Sequence, residues 1–205
     1  MEGELYSLSA FLVDGKVLID FVVEEKCTAS EFAVDTSRVV VISDHRINKL
    51  RSDVEAIANF LSLQNGLLHT QFILNDEGAW IIEPTLRCPG DLYSHLIEKT
   101  TGFNYALAYI MPFLSKNYNK LLDGNVKKRH IIRHTLTSKE RIILKSISCS
   151  GEFLNTEIFP LQISGSTIHE APSTRIATIF VEFKTVDDME KGFESITNRE
   201  FFQIN

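Results

Sequence analysis

The residues from His69 to Thr85, HTQFILNDEGAWIIEPT, constrain the fold of this 205-residue chain more than any other stretch. Phe72, Ile73 and Leu74 precede a polar Asn-Asp-Glu-Gly break, and Ala79, Trp80, Ile81 and Ile82 follow it. Apolar, turn, apolar is the pattern of two paired strands. A three-residue loop of Asp76, Glu77 and Gly78, with Gly78 in the left-handed conformation, sets Asn75 opposite Ala79 and Gln71 opposite Glu83. Side chains alternate faces along a strand, so this register places Thr70, Phe72, Leu74, Trp80, Ile82 and Pro84 on one largely apolar face. His69, Gln71, Glu83 and Thr85 share the other, with Ile73 and Ile81 nearer the turn. Directly opposed residues bring their Cβ atoms to about 5 Å. Two readings of the polar face are open: a ligand set for a hard cation, or the water-facing side of an ordinary antiparallel hairpin. A loop of four residues instead of three would move the register by one and part Gln71 from Glu83.

A second hairpin precedes the first. Residues 4–13 and 16–23, ELYSLSAFLV and KVLIDFVV, flank Asp14-Gly15 and are rich in aromatic and β-branched residues, the composition of strands packed on one face. Residues 24–38 have no clean period and read as a loop. After the apolar run Val39 to Ile42, Ser43 or Asp44 can cap a helix reaching about Gln64. Ile47, Leu50, Val54, Ile57, Ala58 and Leu61 give that helix one apolar stripe to lay on the sheet, and Asn65-Gly66 closes it. Leu92, His95 and Leu96, stopped at Thr100-Thr101-Gly102, predict a short helix in which His95 reads as a packed or surface histidine. Asn104 caps a further helix through Leu114, which Pro112 bends or shortens.

The polar stretch 115–126, with Asp123-Gly124-Asn125, predicts a domain boundary. Beyond it, apolar-rich runs at His130–Leu136, Arg141–Ile147, Glu157–Ile163 and Arg175–Phe183 predict strands. Thr185 or Asp187 then starts a short helix with Met189, Phe193 and Ile196 on one side. The basic run Lys127 to His134 places His130 and His134 on one face of a strand and Arg129 and Arg133 on the other. That is either a phosphate or metal site or, more cheaply, a solvated strand edge whose charges discourage unwanted pairing.

Apolar residues at 44% with 23% charged residues are the balance of a globular protein. A net charge of −6 argues against general affinity for nucleic acid, which needs a basic surface. Cys27, Cys88 and Cys149 are odd in number and lack metal-ligand spacing, as expected of reduced thiols in a cytoplasmic protein. The N-terminal MEGELYSLSAFLV has no basic region leading into a long apolar run, and no stretch approaches the ~18 apolar residues that a bilayer span requires. Neither a secretory signal nor a membrane partner is expected.

The segment GLLHTQ (66–71), followed after the hairpin turn by EPTLRCPGD (83–91), resembles the metal-binding signature of the ATP-grasp superfamily. There a Glu, Asp or Gln on one strand and a Glu-x-Asn-x-x-Arg on the next hold Mg²⁺ against ATP. EGELYS (2–7) with the Asp14-Gly15 hairpin resembles the entry into the C-terminal subdomain of that family, and TTGFN (100–104) resembles the Thr-Gly-x-Asp stretch that opens its next helix. The resemblance runs over about residues 2–115. The end of the chain resembles, more loosely, the tail that follows the grasp fold in amino-acid ligases and biotin carboxylase-like enzymes.

The resemblance implies an α+β fold: residues 1–120 as the C-terminal part of an ATP-grasp domain, with an antiparallel sheet and packed helices, and residues 127–205 as a small, mainly β accessory domain. It implies Mg²⁺ or Mn²⁺ on Gln71, Glu83 and Thr85, the ribose of ATP on Glu4, and Arg87 on a carboxylate or phosphate oxygen pair. His69 falls where relatives place a basic residue near the transferred phosphate. Gln at the first metal position is also what carbamoyl-phosphate synthetase resembles there, whereas Thr85 departs from the usual Asn. In that family ATP phosphorylates a carboxylate, and an amine or related nucleophile then displaces phosphate from the acyl phosphate.

The second lobe of that site, with its lysines and glycine-rich loop, is not found in the sequence. The resemblance therefore implies a C-terminal portion of a larger ligase, a cut piece or one half of a split gene, whose partner is the missing N-terminal lobe and which alone binds ATP weakly or not at all. The competing expectation is a binding or assembly module that keeps the fold without the chemistry, for which Thr85 and the missing lobe speak.

Overall fold

The computed structural model describes residues 2–42, 45–114 and 128–205. The candidate helix caps Ser43 and Asp44, the boundary stretch 115–126 and Lys127 lie outside the described residues. The chain forms two compact units, Met1–Glu24 with Val39–Lys128 and Glu25–Arg38 with Arg129–Asn205. The second unit therefore includes a segment from well before the expected boundary.

In the first unit, β1 (Glu4–Val13) and β2 (Lys16–Lys26) form the expected hairpin around Asp14 and Gly15, both with positive φ, 49° and 74°. β1 also pairs antiparallel with β4 (Gly66–Asn75), and β4 with β5 (Gly78–Thr85). β3 (Thr36–Val40) follows β2 in the chain and forms a strand where residues 24–38 are expected to be a loop. The last two residues of β2 and the first three of β3 belong to the second unit.

Alternation along β1 sends Leu8, Ala10 and Leu12 to one side of the sheet. There α1 (His45–Phe60) buries Ile47, Leu50, Val54 and Ala58 against them and against Val22, Leu68 and Phe72. Each such fully buried aliphatic side chain contributes roughly 1.5–3 kcal/mol. The helix ends earlier than the stripe suggests. Ser62 turns left-handed at φ 56°, the Leu63 N–H closes on the Ala58 carbonyl at 2.8 Å, and Leu61 is left exposed. Gly66 opens β4 instead of capping the helix.

The other side of the same sheet carries Ser7, Ser9, Phe11 and Phe21. It is covered by α2 (Tyr93–Thr101) and α3 (Tyr105–Ile110) through Tyr93, Phe103 and Tyr105. Gly102, left-handed at φ 76°, ends α2 with its N–H on the Glu98 carbonyl. Asn104 caps α3 by accepting the Leu107 N–H, and a 3-10 turn at Met111–Leu114 follows where Pro112 interrupts the helix.

In the second unit the strand order is β3, β6 (His130–Thr137), β11 (Arg175–Phe183) and β9 (Asn155–Pro160), all antiparallel. The basic run is therefore not a strand edge. β6 is paired on both sides, with Arg133 and His134 only 2% and 4% exposed, and Arg129 forms an ion pair with Glu182. The missed partner is β3, which has no alternating apolar pattern to announce it. The run expected at 141–147 breaks into β7 (Ile142–Ile143) and the start of β8 (Ile147–Cys149), which pair with β10 (Thr167–Ile168) and β12 (Phe202–Ile204). Thr185 caps α4 (Val186–Thr197) by accepting the Asp188 N–H, and Met189, Phe193 and Ile196 join Ile132, Leu136, Ile179 and Val181 in one core.

A candidate metal and phosphate site on the hairpin of the first unit

The hairpin turn differs from the expected one. Asn75 pairs with Gly78, so only Asp76 and Glu77 form the loop, and Gly78 does not take positive φ. The Asn75 side chain sets this geometry: its Oδ1 accepts from the N–H groups of Glu77 and Gly78 at 3.1 Å each and from the Trp80 indole at 3.2 Å. The shorter loop pairs Ile73 with Trp80 and Phe72 with Ile81. Ala79 and Ile81 thus pack with Phe72 and Leu74 against the α1 core, while Trp80 and Ile82 are 42% and 55% exposed. The expected core positions of Trp80 and Ile82 are corrected by this shift of one residue.

A bulge between Gln71 and Phe72 then moves the register back by one. Ile82 is the unpaired extra residue, Gln71 pairs with Glu83, and His69 pairs with Thr85. The four polar residues that the sequence grouped are thus cross-strand neighbours. Glu83 is exposed and has neither a hydrogen bond nor an ion pair among the described residues. Arg87, also exposed, makes one long bond of 3.4 Å to the Cys88 carbonyl and no ion pair among the described residues. A carboxylate and a guanidinium four residues apart are therefore both open to a ligand.

Glu4 is placed differently. It lies at the start of β1 across from Leu74, whereas Ser7 lies across from Gln71. Three residues of separation put Glu4 on the face of Tyr6 and Phe72, opposite that of Ser7 and Gln71, and about 10 Å along the strand. The structure does not bring Glu4 onto the face that carries Gln71 and Glu83.

His69 sits beneath this surface, 7% exposed. Its Nδ1 is 3.0 Å from Ser9 Oγ, which is in turn 3.0 Å from the Tyr105 hydroxyl, and its ring meets Tyr93 edge-on at 5.2 Å. Tyr93 is anchored by a 3.0 Å bond to Ser7 Oγ. Burial, reinforced by the positive charge of Arg87, pushes the His69 pKa down to about 4, so the ring is neutral at pH 7 instead of basic. Burial also pushes the Tyr105 hydroxyl well above its ordinary range. Ser7, Ser9, Tyr93 and Tyr105 were not singled out from the sequence. The signal was present in ELYSLSAFLV, where two serines two residues apart put hydroxyls on one face of an otherwise apolar strand.

Among the described residues, no three His, Cys, Asp or Glu side chains converge as metal ligands. Gln71, Glu83 and Thr85 on the polar face of the hairpin offer one amide, one carboxylate and one hydroxyl. That set fits Mg²⁺ or Mn²⁺ held mainly by substrate phosphates and water, which commonly takes one or two carboxylates from protein, and it does not fit an all-protein cage.

Neither a family model nor a curated protein matches the sequence. Solved structures do match over the whole chain. Phosphoribosylglycinamide synthetase from Anaerococcus prevotii aligns with a TM-score of 0.79 and 22% identity, covering 100% of this chain and 54% of that one. L-amino acid ligase from Bacillus licheniformis aligns at 0.79 and 14%, covering 100% and 52%. The biotin carboxylase domain of a thermophilic 2-oxoglutarate carboxylase aligns at 0.66 and 13%, covering 100% and 48%. The chain spans about half the length of these proteins, and its fold is the ATP-grasp fold anticipated from about residues 2–115.

Proposed function

We propose that this chain, which has the ATP-grasp fold, is the C-terminal part of an ATP-dependent carboxylate-amine ligase. In this reading it supplies the metal and phosphate side of the site, and an N-terminal lobe, in the same chain or as a split-gene partner, supplies the rest. Residues 1–120, apart from the segment 25–38 that belongs to the second unit, form the grasp domain and 127–205 an accessory domain, and the protein works in the cytoplasm. The observation that carries the reading is the exposed pair Glu83 and Arg87, neither with an ionic partner among the described residues, beside Gln71. The names of two of the similar structures, a synthetase and a ligase, support the class of reaction.

Gln71, Glu83 and Thr85 would hold Mg²⁺ or Mn²⁺, whose charge neutralises the triphosphate oxygens. Arg87 would meet a phosphate or carboxylate oxygen pair with its planar fork. His69, neutral and enclosed, holds the strand under Thr85 and lies close to Arg87 without adding charge. Glu4 would serve the ribose only after a movement that brings it to the other face. Chemistry of this kind depends on neutralising and aligning phosphates more than on a protein nucleophile, so the lack of a serine, cysteine or lysine nucleophile on the hairpin is compatible with it.

The test uses the 205-residue chain itself. With MnATP at about 1 mM, where ligand contacts of a half-site remain measurable, the amide signals of residues 69–85 should broaden selectively, and Glu83→Gln should abolish the effect. Uniform or absent broadening would end the assignment. Micromolar ATP binding by calorimetry would refute the need for a second lobe. The alternative, a non-catalytic binding or assembly module, is favoured by Thr85 and by the single carboxylate; it expects no broadening in either protein.

A further inference from the structure

In the second unit, Asp35 reaches His134 through a single hydroxyl. Asp35 Oδ2 accepts from the Thr28 N–H, the Thr28 hydroxyl and the Ala29 N–H at 2.8 Å each, and Oδ1 accepts from the Thr36 hydroxyl at 2.8 Å. A carboxylate only accepts, and threonine has one proton to give. That proton goes to Asp35, so Thr36 Oγ1 accepts from His134 Nδ1, 2.8 Å away. The tautomer of His134 follows: the proton is on Nδ1, and Nε2 presents a lone pair. Nε2 has no hydrogen-bond partner among the described residues, although the side chain is 96% enclosed.

His134 lines a cavity of about 190 Å³ that lies wholly within the second unit. Arg199 stands in the same wall. It follows α4 with φ 61°, and the N–H groups of Arg199 and Glu200 close on the Ile196 and Ser195 carbonyls at 2.9 Å each, a helix end that usually takes glycine at this position. What arginine brings there is its guanidinium. One nitrogen, Nη2, donates to the Thr137 carbonyl at 2.6 Å and its hydroxyl at 3.0 Å. Arg199 makes no ion pair among the described residues, so Nε and Nη1 remain for a ligand. Lys139 and Glu140 at the rim are exposed and opposite in charge, and Arg199 is the charged group of the inner wall, with the Asp35 carboxylate within electrostatic reach of it. Thr137 and Ser138 add polar groups to the lining, and its apolar part is Leu136, Ile142, Ile196 and Ile204, with Phe202 stacked on the His134 ring at 5.3 Å.

We propose that this cavity binds a small carboxylate that carries a hydroxyl or ammonium donor beside its acid group and a short branched apolar tail. The carboxylate takes the open edge of Arg199, the donor meets His134 Nε2, and the tail lies against Leu136 and Ile196. The volume, about six water shares, admits an acid of about eight non-hydrogen atoms. The site shares no residue with the hairpin, so its occupancy is independent of the ligase reading.

The probes are L-2-hydroxyisovalerate and L-valine, titrated separately into the ¹⁵N-labelled full chain. At least one should bind saturably in the ~1 mM range expected for so small a ligand, shifting the His134 Nε2 resonance. Whichever binds identifies the donor as hydroxyl or ammonium. Isovalerate, which lacks the donor, should bind about tenfold more weakly, and so should the hydroxy or amino acid to Arg199→Gly. Glycine suits the left-handed position, so the helix end survives while the guanidinium is lost. Should that variant fail to fold, the comparison of isovalerate with the bound probe on the wild-type chain decides alone. The proposal is overturned if neither probe saturates by about 10 mM, if isovalerate or Arg199→Gly matches the full interaction, or if the free protein carries the His134 proton on Nε2.

Discussion

Glu83 is the cross-strand partner of Gln71, although a straight count back from the turn would give Gln71 to Ile82. The two-residue loop moves the register one way, and the bulge at Ile82 moves it back. Deleting Ile82 should therefore remove the bulge and leave Gln71 facing Glu83 and His69 facing Thr85. The expected result is a folded protein within about 1 kcal/mol of the parent, because Ile82 is exposed, with NMR cross-strand contacts between residues 71 and 83 retained. Loss of those contacts would mean that the bulge itself, and not the loop, fixes the pairing.

The proposed metal set predicts opposite effects at its two central residues. Gln71→Glu adds a second carboxylate across from Glu83, which should strengthen Mn²⁺ binding in the presence of ATP by about tenfold, since hard cations favour charged oxygen ligands. Glu83→Gln removes the only carboxylate among the three and should weaken it by at least about tenfold. Paramagnetic relaxation of water protons reads both. Two changes of the same sign would remove the cation from this hairpin.

His69 makes the first unit sensitive to acid. Its folded pKa, about 4, lies below the ordinary histidine value of about 6.5. The unfolded chain therefore binds a proton at a pH where the folded one does not, and stability falls as pH drops from about 6.5 to about 4. The loss on this account is of order 3 kcal/mol at the acid end. Urea melts at pH 7 and pH 4.5 should show the decline, and His69→Gln should reduce it, the remainder coming from His134, which burial also holds down to about 4. Arg87→Ala, which removes the positive charge that helps hold the pKa down, should raise the His69 titration point.

The hairpins, the α1 stripe and the Asn104 and Thr185 caps were legible because each rests on local signals: alternation, a 3.6-residue period, or a cap at fixed distance. The pair Gln71 with Glu83 stands for a different reason than the expected three-residue loop, because the shorter loop and the bulge at Ile82 offset each other. What was not legible depends on distant chain. β3 has no period of its own and is a strand because β6 pairs with it, through Thr36 with His134 and Arg38 with Ile132. The basic run was read as a solvated edge for the same reason; a central strand full of His and Arg is possible only because Thr36 and Asp35 answer His134 from nearly a hundred residues away. The loop length was misjudged because the Asn75 side chain, not a left-handed Gly78, closes the turn. Glu4 was placed at the ribose by motif position, and alternation from Gln71 through Ser7 puts it on the other face.

The polar layer behind His69 predicts a cost for removing one hydroxyl. Ser9 Oγ serves both His69 Nδ1 and the Tyr105 hydroxyl, all three within a buried site. Ser9→Ala leaves two enclosed polar groups without that partner, a loss of about 1–3 kcal/mol. Chemical denaturation measures it. Tyr105→Phe should restore part of the loss in the Ser9→Ala background, because it removes one of the stranded groups; a fully additive double variant would show that the three side chains do not act together.

At Gly192, α4 lies directly against the Phe183 ring of β11. A Cβ at this position would overlap the Phe183 ring, which is 2% exposed and packs edge-on against Phe201, so the ring has no free direction in which to yield. Gly192→Ala gains about 1 kcal/mol of helix propensity and meets an overpacking cost of about 1–3 kcal/mol. With both partners held between a strand and a helix, the steric term should win, and the net loss expected in a thermal or urea melt is up to about 2 kcal/mol. Phe183→Leu opens the space that the new methyl group needs. Combined with Gly192→Ala it should cost less than the sum of the two single changes, whereas a Gly192→Ala protein as stable as the parent would mean that the helix slides away from the strand without cost.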